Sequence, residues 1–127
     1  MGSTTSIALP EIPPGLPVGP GWVACPETAP VVFPYDGSVV ARAPVGSVEH
    51  AKTALDAGVA AVRPVGKLGS AARRAILLDV ERELSANADR FVDLLVAETG
   101  KTRADCTVEL SRTLFTWTAA AVAWCDW

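Results

Sequence analysis

From Ser47 onwards, apolar residues recur at the spacing of α-helices. The first set is Val48, Ala51, Leu55, Gly58 or Val59, and Val62, which would share one face of a helix. Ser47 is a preferred N-cap residue, and Glu49 suits the positive end of the helix dipole. Pro64 and Gly66 then indicate that this helix stops.

Two more helical patterns follow, joined at a short polar segment. Ser70 is expected to cap a helix whose apolar stripe is Ile76, Leu77, Val80 and Leu84. Ser85-Ala86-Asn87 indicates a joint, after which Phe91, Leu94 and Leu95 continue on a new face. Gly100 should end this helix, because glycine tolerates the positive φ of a C′ position. Lys101 adds positive charge near the carbonyl end of the helix dipole.

The last helix is predicted from about Thr102 to Cys125. Its stripe is Leu110, Leu114, Trp117, Ala121 and Trp124, widened by Val108, Phe115 and Val122. Between Thr113 and Cys125 the pattern is apolar on nearly all sides, which is typical of a helix buried from several directions. The rest of this chain is too short to surround such a helix.

The N-terminal part has a different character. Residues 1–30 contain seven of the ten prolines, so we expect an extended arm along the surface of a folded body. Asp36-Gly37 lies between the β-branched runs 31–33 and 39–42 and predicts a β-hairpin whose second strand Pro44 terminates. The predicted fold class is mainly α with one N-terminal β-hairpin, divided into the arm (1–30) and the hairpin plus helices (31–127).

Composition narrows the possible functions. The 127 residues suffice for one domain, and a hydrophobic share of 50% argues against disorder. The net charge is −3 and no basic patch occurs, so we expect no nucleic-acid partner. The uncharged run from Thr113 to Cys125 is too short to span a membrane, and no signal peptide is evident, so a cytoplasmic protein is expected.

Few residues are candidates for chemistry. Cys25, Cys106 and Cys125 are widely spaced and predict neither a disulfide framework nor zinc binding, so we expect small buried apolar residues. His50 is the only histidine, and its place in a first helical turn predicts a solvated or capping role. The carboxylate pairs Glu81/Glu83 and Asp89/Asp93 are expected to be solvated charges beside Arg82 and Arg90.

Four of these segments occur in an order that resembles a known family. They are Ser47-Val48-Glu49-His50-Ala51, the arginine-led run 73–78, Glu98-Thr99-Gly100-Lys101, and Val108-Glu109-Leu110. Together they resemble the N-terminal region of the aldehyde dehydrogenase superfamily, over about residues 39–121. The resemblance implies the helical lead-in to the dinucleotide-binding domain of an α/β enzyme. That family oxidises aldehydes to acids with NAD or NADP, through a cysteine thiohemiacetal and a hydride transfer.

The chain departs from the family where the chemistry would be expected. The cofactor-contacting Pro-Trp-Asn motif, the glycine-rich cofactor turn and the general-base glutamate are absent. The family's nucleophilic cysteine follows Gly-Gln, which none of the three cysteines does, and Arg63-Pro64-Val65 stands where an aromatic-rich helix end is common. We therefore expect no catalytic, cofactor-binding or metal-binding residue in this chain, and no cofactor bound by the chain alone.

Two functional hypotheses remain. In the first, the chain is the N-terminal piece of an NAD(P)-dependent aldehyde dehydrogenase and acts as a scaffold without activity of its own. Its partner would be the remainder of that fold, or a further copy through self-association. In the second, the chain is a free-standing helical module for protein interaction or oligomerisation.

Overall fold

The computed structural model describes residues 15–123, which form two β-hairpins followed by four helices. The strands are β1 (Gly15–Val18), β2 (Gly21–Ala24), β3 (Thr28–Val32) and β4 (Val39–Pro44). The helices are α1 (Val48–Gly66), α2 (Ser70–Ala86), α3 (Ala88–Thr99) and α4 (Arg103–Ala123). The predicted class, mainly α with an N-terminal β-hairpin, is confirmed, and a further hairpin precedes the predicted one.

The predicted hairpin is formed by β3 and β4, which pair antiparallel from Thr28 opposite Pro44 to Val32 opposite Val39. In its turn the Asp36 side chain accepts a hydrogen bond from Ser38 N at 2.9 Å, and Gly37 has φ 74°. Hydrogen bonding by the Ser38 side chain, and then by its backbone N–H, holds the pKa of Asp36 below its ordinary value. Pro44 is itself the last residue of β4. Proline is tolerated there because β4 is an edge strand, which does not need the backbone N–H that proline lacks.

The first hairpin corrects the prediction of an extended arm. β1 and β2 pair antiparallel, with Val18 opposite Gly21. The loop Gly19-Pro20 places Gly19 at φ 59°, as a two-residue hairpin turn requires of its first residue. Proline is compatible here because a two-stranded sheet leaves alternate N–H groups unpaired. The prediction for residues 1–14 lies outside the described part of the chain.

Helix α1 begins with a reciprocal capping box. The Ser47 hydroxyl accepts from His50 N at 3.3 Å, and Ser47 N donates to His50 Nδ1 at 3.1 Å. The helix continues through Pro64 and ends at Gly66. Its last carbonyls are then capped from α2, since the Arg73 guanidinium donates to Val65 O at 3.1 Å and to Gly66 O at 3.3 Å.

Helices α2 and α3 meet at the predicted joint. The N-cap of α2 is Gly69, without a side-chain hydrogen bond, so the prediction that Ser70 caps this helix was wrong. Asn87 ends α2 and precedes α3, and its side-chain Nδ2 donates to Glu83 O at 2.9 Å. Gly100 caps the end of α3 with φ 69°, and its N–H donates to Val96 O at 2.9 Å, which confirms the predicted stop.

Helix α4 packs along α2 and α3 and closes a small core. Thr102 caps its start, because Asp105 N donates to Thr102 Oγ1 at 3.2 Å. The described helix ends at Ala123, so the predicted end at Cys125 lies outside the described residues. The buried cluster consists of Val92, Cys106 and Leu110, with Ala88, Leu95, Val96 and Leu114 packed against it.

This core leaves much apolar surface in water. On α4, Phe115 is 73% exposed and Val108 and Val122 are each 53% exposed. The neighbouring elements therefore cover α4 on one side, and the apolar residues on its other side have no partner among the described residues.

Candidate functional site

The turn at Gly100 brings together two residues of the motifs singled out in the sequence. Lys101 Nζ lies 2.9 Å from Glu109 Oε2 and 3.2 Å from Oε1, so the start of α4 is tied to its second turn. The hydrogen bond to Glu109, and then its charge, raise the pKa of Lys101 above the ordinary lysine value. Sequence reasoning found both residues but did not predict the bond between them.

A second ion pair joins α3 to the start of α4. Arg103 donates to Asp89 Oδ1 at 3.1 Å and also to Asp93. The hydrogen bond to Asp93, and then its charge, raise the pKa of Arg103. Asp89 is 95% exposed, as expected of a solvated charge, and the neighbouring Arg90 donates to Asn87 Oδ1 at 3.2 Å.

These charged groups lie at the turn between α3 and α4 and pair with one another. The side chains of Lys101 and Glu109 are 48% and 47% exposed, and each satisfies the other. They line an open surface depression together with Asp105, Val108 and Arg112. Ion pairs in contact with water contribute little energy and leave no activated acid or base.

The closest approach to a nucleophile and a base is the pair Cys25 and His50. Cys25 Sγ lies 3.7 Å from His50 Nδ1. However, that nitrogen already accepts the N–H of Ser47, so its lone pair serves the capping box. The structure confirms the predicted capping role of His50, and the ring nitrogen nearest the thiol is occupied.

The other candidates are buried or dispersed. Cys25 and Cys106 are free and buried, as predicted, while Cys125 lies outside the described residues. Within residues 15–123, no three His, Cys, Asp or Glu side chains lie together as a metal site would require. Over the same range, no helix has the length and apolar character needed to cross a membrane.

Comparison with known proteins identifies the family. The model of the aldehyde dehydrogenase family matches residues 22–125. A curated relative is the 3,6-anhydro-alpha-L-galactose dehydrogenase of Streptomyces coelicolor, 35% identical over 78 residues. That alignment covers 61% of this chain and 16% of the relative.

Solved structures show the same fold. Aldehyde dehydrogenase 21 of Physcomitrella patens, solved with the reaction product succinate, is 27% identical with a TM-score of 0.82 over 88% of this chain. The NAD-dependent benzaldehyde dehydrogenase of Corynebacterium glutamicum matches in fold, at 24% identity and a TM-score of 0.78 over 84% of this chain. The chain spans 24% of each structure and a smaller share of the curated relative. This chain belongs to the aldehyde dehydrogenase family.

Proposed function

We propose that this chain is the N-terminal part of an NAD(P)-dependent aldehyde dehydrogenase and serves that enzyme as a scaffold. The parent reaction is the oxidation of an aldehyde to a carboxylic acid. The observation that carries the proposal is the family match over residues 22–125, combined with coverage of only 16% of the curated relative. The remainder of such an enzyme would contain the catalytic residues and the cofactor site.

The scaffold role is supported by the uncovered side of the α3–α4 hairpin. At its turn Gly100 is left-handed, Lys101 bonds Glu109, and Arg103 bonds two carboxylates. The same hairpin directs Phe115 and Val122 into solvent. An uncovered apolar side is what a neighbouring part of a larger enzyme would pack against.

The absence of activity in the chain alone is argued from its cysteines. Covalent aldehyde oxidation needs an accessible thiolate, a base within reach and a bound nicotinamide. Cys106 is fully buried, and the histidine beside Cys25 is engaged in a helix cap. We infer that NAD or NADP and the aldehyde would be bound by the remainder of the enzyme.

The first experiment measures activity of the purified 127-residue chain. We expect no formation of NADH or NADPH with a panel of aliphatic and aromatic aldehydes. The control is the same chain carrying Cys25→Ser, which removes the thiol that lies 3.7 Å from His50 Nδ1. Turnover by the unmodified chain that this substitution abolishes would overturn the proposal.

The second experiment tests the scaffold role directly. The N-terminal quarter of the benzaldehyde dehydrogenase would be removed, and the remaining part produced with either its own N-terminal segment or this chain. Restored NADH formation with its own segment validates the assay. Restoration with this chain supports the proposal. The scaffold proposal would be contradicted if this chain restored no NADH formation and the DNA following the codon of Trp127 encoded no aldehyde dehydrogenase sequence.

The alternative function is a free-standing module for helix-mediated interaction or oligomerisation. It is favoured by one observation, the uncovered apolar side of α1, where Leu55 is 68% and Val62 is 66% exposed. The alternative requires the isolated chain to be a well-folded protein. A cooperative thermal transition together with the absence of aldehyde dehydrogenase sequence downstream would favour it over the scaffold.

A further inference from the structure

The start of α1 lies against the first hairpin. Gly46 precedes the N-cap residue, and a Cβ atom built on this glycine would lie 2.9 Å from Leu16 Cδ1 of β1. Cys25, the residue after β2, is buried and places its Sγ atom 3.7 Å from His50 Nδ1. The cap of α1 is therefore part of the contact between this helix and the hairpin.

One acceptor in this cap is a group whose charge changes near neutral pH. In the usual capping box, a glutamate or glutamine at the third helical position accepts the N–H of the N-cap residue. Here the third position is His50, whose Nδ1 accepts the N–H of Ser47 at 3.1 Å. Histidine side chains ordinarily take up a proton around pH 6.5, and the protonated imidazole has no acceptor. A box closed by histidine therefore requires the neutral ring, with its proton on Nε2.

The groups around the ring would not compensate a positive charge on it. From the hairpin, Cys25 faces the ring with a thiol, and strands β1 and β2 contain no titratable side chain. The side chain of Glu27, between β2 and β3, is exposed. On α1 itself, the Glu49 carboxylate is bonded to Lys52 at 3.1 Å. None of the ion pairs among residues 15–123 involves His50, so a proton there would add a charge without a counter-ion.

We propose that the capping box of α1 is a pH-sensitive switch, which neutral His50 closes and protonated His50 opens. Protonation replaces the acceptor at Nδ1 with an N–H group, so the N–H of Ser47 loses its partner and two donors face each other. The positive charge also lies in the first turn of the helix, where the helix dipole disfavours a cation. Acid therefore releases the start of α1 and loosens its contact with the hairpin at Cys25.

The direction of the pH dependence follows from which form of the ring fits the cap. Since the neutral ring makes the bond, its stabilisation is present at higher pH and is lost as pH falls through the range in which histidine takes up a proton. The pair of Lys101 and Glu109 has the opposite dependence, because its stabilisation is lost as pH rises. Histidine and lysine titrate several pH units apart, so the two effects are measured separately.

The switch lies beyond the proposed function, because it is a conformational change within this chain. It does not depend on whether the chain can complete a dehydrogenase in the assay above, so the two can fail separately. Its effect is local, since the second bond of the box, from His50 N to Ser47 Oγ at 3.3 Å, involves no titratable group. Loss of one capping bond shifts a local opening equilibrium by roughly twofold to thirtyfold.

The first test measures hydrogen exchange of the Ser47 amide in the purified 127-residue chain at about pH 8 and about pH 5. The matched variant is His50→Gln, which keeps an acceptor at the third helical position and does not titrate. Protection of this amide in the original chain should fall about fivefold at the lower pH relative to the variant. The Gly100 amide, which donates to Val96 O at 2.9 Å, should respond equally in both chains. The same pH response of the Ser47 amide in both chains would overturn the proposal.

The second test fixes the two states of the switch with side chains that keep their charge between about pH 5 and pH 8. His50→Glu supplies the usual acceptor of a capping box and should protect the Ser47 amide at both pH values. His50→Lys supplies a positive charge without an acceptor and should leave this amide about fivefold less protected at both. The Ala51 amide, which donates to Ser47 O at 3.1 Å in the first turn, should follow the same order. Protection in His50→Lys equal to that of the original chain at pH 8 would refute the switch.

Discussion

Gly100 ends α3 in the left-handed conformation, and its role was predictable because a helix cap is a local feature. Its φ of 69° lies in the left-handed region, which glycine occupies without steric cost. Gly100 also lies close to Pro34, because a Cβ atom added to this glycine would lie 3.5 Å from Pro34 Cβ. Gly100 therefore links the α3–α4 hairpin to the loop after β3.

Replacing Gly100 with valine should destabilise the chain by about 1 kcal/mol or more. A β-branched residue is strained at positive φ. The control is Gly58→Ala within α1, where φ is not positive and no atom lies within 4 Å of the added Cβ. That control should stabilise by about 0.5 to 1 kcal/mol. Urea unfolding followed by circular dichroism measures both, and an unchanged midpoint for Gly100→Val would show that the cap is unimportant.

The ion pair of Lys101 and Glu109 leads to a pH prediction. The folded chain raises the pKa of Lys101, so the stabilisation is fully present below the unfolded lysine value of about 10.4 and is lost as pH rises through the folded value. Glu109→Gln should lower the pKa of Lys101 towards its ordinary value. Titration of the lysine Nζ signals by NMR checks this, with Glu98→Gln as the control. An unchanged Lys101 titration in Glu109→Gln would contradict the pairing.

The bonds that sequence analysis missed share a physical cause. Ser47 and Gly100 bond to backbone groups a few residues away, so the residue type and its position suffice to predict these two caps. Arg103 meets carboxylates ten and fourteen residues earlier in the chain. That contact depends on the angle at which α4 leaves the Gly100 turn, and the residue types alone do not specify this angle.

At the scale of elements, the helices were predictable because their apolar spacing and end signals agree. The first hairpin was missed because its prolines were taken to exclude strands. Pro17 lies within β1 and Pro20 in the loop, at places where a two-stranded sheet requires no donor from them. Sequence analysis therefore overestimated the effect of proline where pairing involves only one neighbouring strand.

The α1–α2 connection depends on Arg73, which also donates to Leu68 O at 3.1 Å. Arg73→Gln should cost about 1 to 2 kcal/mol and loosen the end of α1, because several carbonyls lose a charged donor. The matched control is Arg74→Gln at the next, exposed position, which should change stability by less than about 0.5 kcal/mol. Hydrogen exchange of residues 63–68 measures the loosening. Equal exchange in the two variants would contradict the capping role.

At the scale of the whole molecule, an amphipathic pattern predicts that a helix has an apolar side but not what covers it. The stripe of α1 was predicted by its spacing, yet the structure directs Leu55 and Val59 away from the hairpin that α1 contacts. Only the relative placement of elements reveals this. For α4 the sequence alone predicted the uncovered side, because no other segment of this 127-residue chain offers enough apolar surface to surround the helix.

The last prediction follows from this uncovered surface. Leaving even a few hundred Å² of apolar area in water forgoes several kcal/mol at roughly 25 cal/mol per Å², comparable to the whole stability of a domain this small. The isolated chain should therefore bind ANS and melt over a broad temperature range.

The truncated benzaldehyde dehydrogenase of the second activity experiment provides the control. Binding to that part should reduce the ANS signal, because the remainder of the enzyme would cover the exposed side of α4. A sharp cooperative melt of the isolated chain without ANS binding would contradict the incomplete fold and favour an autonomous interaction module.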